Sequence, residues 1–507
     1  MGRNDKMERN AIAISCLCGA AQQSLNLTSP VGSWPHVPIC HCDSCRRLTG
    51  VLCTSYVAIS TTTPPTPSVA GLKSYDAPSP HSGACRYFFC ATCGCHVFRC
   101  FPTSKGDKTL AWEVATGVIA DSPDPGPFLV SSSGERDHKS VKAWQHLNVD
   151  NTRDGGLSVW IPGVGNAAPA QGIRSGQDRG SKATIVPDYE HGETQPAAAP
   201  EDDYLRASCH CSAVSFCITR PDAVTSTAPR SNFPDLMLAY CSTPPEVVSN
   251  PGDEKWWLRG GPLSAPSPNP SSSRNDTSRT QRQQSPRTTK YLAGTCACRS
   301  CRLTSGFEIQ SWAFIPRGNI LFLSSEAPAA NDAVVSAATA TANPATPQSL
   351  PSLQAETQAE AQTISQTVTR ETALIPLDFN HPPPALQRYT SSPGVAREFC
   401  RTCGATVFWH DVFRPELVDV STGLLRAESG GARATGWLAW WTGRVSFAEE
   451  AGKGRRAVGM ATLWARDLVD ALASGMRADG SSREGAAGET PSTMIVSSAV
   501  AETDIGS

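Results

Sequence analysis

The residues best equipped for chemistry in this sequence are its cysteines, and they follow a pattern that occurs twice. Cys16-Leu17-Cys18 comes first, then Cys40-His41-Cys42-Asp43-Ser44-Cys45-Arg46 with Gly50 after it, then Phe89-Cys90-Ala91-Thr92-Cys93-Gly94. The same order returns as Cys209-His210-Cys211, then Cys296-Ala297-Cys298-Arg299-Ser300-Cys301-Arg302 with Gly306, then Phe399-Cys400-Arg401-Thr402-Cys403-Gly404. Three sub-motifs repeating in one order point to duplication of a whole domain.

In each copy the Cys-x-Cys and the Cys-x-x-Cys-Gly supply two close pairs of thiolates. Four sulfurs at about 2.3 Å satisfy zinc and leave no position for water, the arrangement of a closed structural site. Cys16, Cys18, Cys90 and Cys93 form one such set, and Cys209, Cys211, Cys400 and Cys403 the other. The middle motif offers only three sulfurs, Cys40, Cys42 and Cys45 or Cys296, Cys298 and Cys301. A soft three-thiolate site with one open position accepts an incoming thiol and holds it as thiolate at neutral pH. A fourth protein ligand, such as His41 or a loop cysteine, would instead close the site, although Ala297 stands where His41 would recur. Arg46 and Arg302 follow the triads directly; each can hold a carboxylate of a peptide-like ligand or offset the charge of three thiolates.

These side chains need a scaffold, and composition limits what it can be. A chain of 507 residues with 39% hydrophobic residues exceeds one core, yet 40 Pro and 40 Gly indicate long stretches outside any core. The formal net charge of −2 argues against nucleic acid and anionic membrane as partners, and no apolar run is long enough to span a bilayer. Without a secretory signal at the N-terminus, the protein is expected in the cytoplasm, with the nucleus as alternative, where 20 cysteines favour metal ligation over disulfides.

The runs around 55–59, 85–89, 213–218, 311–315 and 319–323 are short, rich in β-branched and aromatic residues, and bounded by turn formers, so they read as strands. The resulting expectation is mainly β: two tandem zinc-bearing domains, 10–165 and 203–450, joined by a linker over 166–202. Cys18 and Cys40 lie 22 positions apart, but Cys211 and Cys296 lie 85 apart. Part of the excess is Ser/Pro-rich, so 262–289 and 326–385 are expected to be disordered insertions, and 451–507 a mostly disordered tail with a short helix near 452–470.

The ordered motifs resemble the glutathione-dependent formaldehyde-activating enzyme family, also called the centromere protein V family. The resemblance covers roughly residues 10–165 and 203–450, with the insertions skipped. It implies a β-tent fold, a structural zinc at each four-cysteine set, and a substrate-facing zinc at each triad, up to four Zn2+ per chain. It also implies glutathione as co-substrate and a carbon–sulfur lyase activity that makes or breaks S-hydroxymethylglutathione. The stretch from His146 to Trp160 resembles fungal members. Ser212 departs from the pattern where Gly19 keeps it, and an insertion around Trp256-Trp257 falls near the second triad.

Cys53, Cys85, Cys95, Cys100, Cys217 and Cys241 read as ordinary thiols, with exchange of Cys95 or Cys100 near His96 as a minor alternative. Trp437, Trp440 and Trp441 read as packing, His410 as structural or a general base, and the arginines between Arg274 and Arg287 as a solvated loop. Two functions remain: an enzyme joining a small-molecule thiol to an aldehyde, and a non-catalytic zinc module that presents interaction surfaces. In the first, the more compact copy, 10–165, is the better match.

Overall fold

The computed structural model describes residues 11–28, 36–61, 66–77, 84–103, 109–121, 144–164, 204–222, 225, 227–260, 289–323, 374–455 and 459–487. The expected linker over 166–202 and the basic stretch from Arg274 to Arg287 lie outside them.

The chain is mainly β. Its first half contributes a seven-stranded sheet ordered Trp144–Leu147, Val37–Cys40, Thr54–Ile59, Leu110–Ala115, His96–Pro102, Cys85–Cys90 and Leu72–Ala77. The second half repeats that order with Leu438–Trp440, Lys290–Cys296, Gln310–Pro316, Leu417–Ser421, Thr406–Asp411, Val395–Cys400 and Leu386–Ser392. In both, the last strand in sequence joins the one ending in the first triad cysteine, and it runs parallel. A smaller sheet accompanies each: Gln23–Asn26, Ala11–Ile14 and Ile119–Asp121, and Tyr204–Ser208, Ser215–Thr219, Ile320–Leu323 and Leu374–Pro376. The five runs read as strands are strands.

Two helices matter for the triads: α1 (Asp43–Thr49) and α2 (Arg299–Ser305). Each ends on a left-handed glycine, Gly50 at φ 83° and Gly306 at φ 93°. Glycine is required twice over there. A Cβ on Gly50 would lie 2.2 Å from the Thr406 carbonyl oxygen, and one on Gly306 2.2 Å from that of His96. The halves therefore meet backbone to backbone, and they exchange matching bonds. Gly117 N–H donates to Gly306 O (2.9 Å) and Gly423 N–H to Gly50 O (3.1 Å); Leu17 N–H donates to Leu303 O and His210 N–H to Arg47 O, both at 3.0 Å. The same patch serves on both sides, as in an isologous dimer interface.

Two expectations of disorder are corrected. Residues 374–376 form an edge strand on Ile320–Leu323, so the insertion placed over 326–385 ends earlier. The chain beyond 451 holds α3 (Met460–Ala487). Its Trp464, Leu468, Leu472 and Met476 recur at four-residue spacing on one face and are buried in the core of the first half. Gly475 permits this docking, since a Cβ there would meet the Trp160 carbonyl at 2.2 Å. The alanines and glycines of 470–487 make that helix look like low-complexity sequence, but burial of one apolar stripe outweighs their weak propensity.

Candidate metal centres

Four cysteine groups assemble, each with all its sulfurs within 4.8 Å of one another: Cys16, Cys18, Cys90 and Cys93; Cys209, Cys211, Cys400 and Cys403; and the triads Cys40, Cys42, Cys45 and Cys296, Cys298, Cys301. In the first quartet Cys16 and Cys18 Sγ are 3.5 Å apart and Cys18 and Cys90 Sγ 3.4 Å; in the second the matching separations are 3.4 and 3.5 Å. Sulfurs placed tetrahedrally at about 2.3 Å from one ion stand about 3.8 Å apart, so these donor sets could each hold a metal ion. Gly19 turns the first Cys-x-Cys at φ 82°, and Ser212 holds the corresponding turn at φ 61°, so the departure from glycine leaves the geometry in place.

The quartets lie where strand ends meet. Phe89 and Phe399 are buried and reach across: each ring abuts the glycine of the opposite Cys-x-x-Cys-Gly, Gly404 or Gly94.

Each triad is built by a strand running into a helix. Strand Val37–Cys40 ends on Cys40, Cys42 caps α1, and its Sγ accepts the Cys45 N–H at 3.3 Å. In the second half Cys296 ends its strand, Cys298 caps α2, and its Sγ accepts the Cys301 N–H at 3.2 Å. Sulfurs that accept hydrogen bonds suit the thiolate form.

The surroundings of the two triads differ. Cys40, Cys42 and Cys45 are buried under Leu147, and Asn148 Nδ2 donates to Cys40 Sγ at 3.2 Å. His41 does not join the cluster: its Nε2 lies 2.9 Å from His146 Nδ1, whose own Nε2 lies 2.9 Å from the Ile161 carbonyl. That carbonyl only accepts, so His146 carries its proton on Nε2 and His41 donates from Nε2.

The second triad opens on a cavity of about 630 Å³ that Cys296, Cys298 and Cys301 line. Arg397 lines it too, buried, with Nη1 and Nη2 each 3.6 Å from Cys301 Sγ and Nη2 2.9 Å from Ser300 Oγ. Within the second triad the thiols shift against one another: Cys298 and Cys301, and then burial, push Cys296 well above the ordinary thiol value, while Cys296 and Cys298, with Arg397 adding to the effect, hold Cys301 well below it. In the first triad Cys40 and Cys42, and then burial, push Cys45 up.

Trp312, Trp409 and Phe447 form one apolar cluster with the three cysteines. Arg414 lies 4.8 Å above the Trp409 ring and donates to Asp419 Oδ1 at 2.8 Å. Burial pushes the Asp419 carboxyl up to about 7. The insertion around Trp256-Trp257 forms one wall. Both indoles are buried in a small separate core, and Asp235 of the same segment accepts from Ser446 Oγ (3.0 Å) and Phe447 N–H (2.6 Å). That clamp fixes Phe447 in a left-handed conformation, φ 53°.

Arg46 and Arg302 are spent elsewhere. Arg46 donates to the carbonyls of His41 and Asn151 and to Asp43, and Arg302 to the carbonyls of Gly117 and Lys453; neither lines the cavity. His410 stacks on Phe379 at 3.7 Å and bonds Glu398, away from the cavity. Cys53, Cys85, Cys95 and Cys100 are buried outside the four groups, Cys217 is half-buried and Cys241 exposed. Trp437 and Trp440 pack internally, the former under Arg220 at 3.6 Å. The sequence pattern does not single out Arg397, Arg414, Asp235 and Asp419; Arg397 and Asp419 stand out only as charges within apolar strands, and Asp235 lies in a turn.

The residues that build the first quartet and the first triad lie between Cys16 and Cys93. Residues 11–128 match the model of the glutathione-dependent formaldehyde-activating enzyme family. The second half, with the same strand order and cysteine groups, lies beyond the matched stretch. No curated protein and no solved structure matches the chain. Among the described residues no helix is long and apolar enough to cross a membrane.

Proposed function

We propose that the chain is a zinc-dependent carbon–sulfur lyase-type enzyme acting on adducts of glutathione with aldehydes, with S-hydroxymethylglutathione as the simplest. The observation that carries this is the triad of Cys296, Cys298 and Cys301 opening on a cavity with Arg397 at its sulfurs. The quartets and triads would hold up to four zinc ions, and zinc at a triad would keep a fourth, incoming thiol ionised at neutral pH. In the reaction glutathione loses its thiol proton, its sulfur bonds to the carbonyl carbon, and the carbonyl oxygen takes a proton; reversal breaks that C–S bond.

The protein's own residues bind and position. Three cysteine thiolates and one substrate thiolate carry four negative charges, more than a divalent ion offsets, and Arg397 supplies a buried positive charge next to them. Arg230 lies exposed at the cavity wall with no ion-pair partner among the described residues, placed to meet a carboxylate of the peptide thiol. Asp419, whose carboxyl burial raises to about 7 against the pull of Arg414, lines the cavity, which suits it to exchange a proton with the adduct's oxygen. Trp312, Trp409 and Phe447 give the sulfurs an apolar surround on the cavity side.

The non-catalytic reading has its own support in the first half, where the triad is buried under Leu147 and bonded by Asn148. We assign that triad a structural role, which reverses the preference for the compact copy. The two halves are read as tandem copies of one domain, 10–165 and 203–450, working in the reducing cytoplasm.

The test is acceleration of S-hydroxymethylglutathione formation above the uncatalysed rate. Cys298→Ser should abolish it and Cys42→Ser should preserve most of it, with circular dichroism unchanged. Equal acceleration by wild type and Cys298→Ser would overturn the assignment.

A further inference from the structure

The two halves allow a position-by-position comparison of their triad surroundings. Tyr56 lies 11 residues after Cys45 as Trp312 does after Cys301, and Ala58 and Phe314 correspond two residues on. Arg99 lies six after Cys93 as Trp409 does after Cys403. Asn148 and Phe447 correspond in the loop that follows the parallel strand: both are left-handed, at φ 56° and 53°, and each follows the residue whose carbonyl accepts the N–H between the first two triad cysteines. In the first half Arg99 lies over Tyr56 and pairs with Glu113, and Asn148 bonds a sulfur. In the second half all four positions are aromatic.

The aromatic residues line an open space and do not fill it. Trp312, Phe314, Trp409 and Phe447 all line the cavity of about 630 Å³, and Trp312, Trp409 and Phe447 belong to one apolar cluster with the triad cysteines. The far wall comes from the inserted segment, where Leu236 fits against Gly294 so closely that a Cβ there would lie 2.4 Å away. The volume has to take the thiol as well, but a one-carbon aldehyde makes no use of four aromatic rings. Flat apolar groups gain from them, through burial and ring stacking.

We propose that the second triad takes aldehydes bearing a flat aromatic or conjugated group, so that the adduct formed there has its aryl group on the sulfur-bearing carbon, between Trp312, Trp409 and Phe447. The inference rests on the reading of this triad as an open thiol site. The step is the same addition: the thiolate sulfur bonds to the carbonyl carbon, the π pair moves to oxygen, and the oxygen takes the proton the thiol released.

Benzyl thiol reproduces the S–CH–aryl part of such an adduct, and ethanethiol the same sulfur and carbon without the ring. Calorimetric titration of the full, zinc-loaded chain with each should give affinity for benzyl thiol at least tenfold higher. That ratio should fall to near one in Trp409→Arg and in Phe447→Asn, which restore the first-half residues. Phe447→Asn keeps the test usable if the other variant misfolds, because Asn148 already occupies the same backbone conformation. Equal affinities in wild type, or a ratio unchanged in the folded variants, would overturn the inference. Absence of binding by either thiol would overturn it together with the open-site reading. Failure of glutathione alone, with benzyl thiol still bound, would remove only glutathione as co-substrate.

Discussion

Replacing Gly306 with alanine tests whether the two halves meet as closely as described. The residue ends the helix that carries Cys301, at φ 93°, and its added Cβ would lie 2.2 Å from the His96 carbonyl oxygen in the other half. Gly71 is a matched control, with φ 74° and its nearest atom, the Ala20 carbonyl oxygen, at an ordinary 3.7 Å. Both variants incur the left-handed penalty of an L-residue, about 1–2 kcal/mol. Only Gly306→Ala must also move backbone by about 1 Å, which overpacks the interface (about 1–3 kcal/mol) and breaks the 2.9 Å bond from Gly117 N–H to Gly306 O (about 1–3 kcal/mol). The expected losses are therefore about 3–8 kcal/mol for Gly306→Ala and about 1–2 for Gly71→Ala, read from urea unfolding midpoints at constant slope. Equal losses would refute the close approach. Since Gly306 positions α2, thiol affinity should fall in Gly306→Ala and hold in Gly71→Ala.

Acid should weaken the fold partly through His96, whose imidazole burial lowers to about 4 from 6.5. The unfolded chain takes up that proton first, so this contribution is complete above pH 6.5 and is lost as pH falls towards 4, about 3 kcal/mol in all. His96→Gln should flatten that part of the pH–stability curve relative to wild type, and superimposable slopes would contradict the assignment. Elemental analysis should find four zinc ions per chain, and chelation should lower the melting temperature while exposing thiols to a colorimetric reagent. Two ions per chain would mean that only the quartets fill, and would remove the basis for a thiol site. Arg397→Gln should weaken thiol binding by one to two orders of magnitude, about 1.4–3 kcal/mol, whereas Arg397→Lys keeps the charge and should stay within about fivefold. Equal losses in the two would show that shape, not charge, is what Arg397 contributes.

What the sequence made legible follows from the range of each constraint. A metal ligand pattern is local: Cys-x-Cys ends a strand, Cys-x-x-Cys closes a knuckle, and the glycine five residues after the triad caps a helix, so the four groups and the strands around them could be read directly. Arg46 and Arg302 stand beside the triads in sequence, but helical geometry turns them to the backbone of neighbouring loops. Arg397 lies 96 positions from Cys301 and reaches it because the fold sets its strand, Val395–Cys400, against the helix that carries Cys301, a relation no local spacing encodes.

The helix over 460–487 was obscured for a related reason. Its composition is that of a tail, and only the core of a distant half gives its apolar stripe something to bury against. The same logic bears on function. Each half carries the same set of cysteines, so ligands alone cannot say which site works. The difference arises where one copy can change without harming the other: Asn148 bonds a sulfur in one half, while Phe447 at the matching position, held by Asp235 of a segment the first half lacks, borders an open cavity. Two matching cysteine triads, one buried and bonded by Asn148 and the other bordering a cavity, fit a division between a scaffold and a reactive centre. Under that division, damage to the first triad should lower stability before it lowers turnover, and damage to the second the reverse.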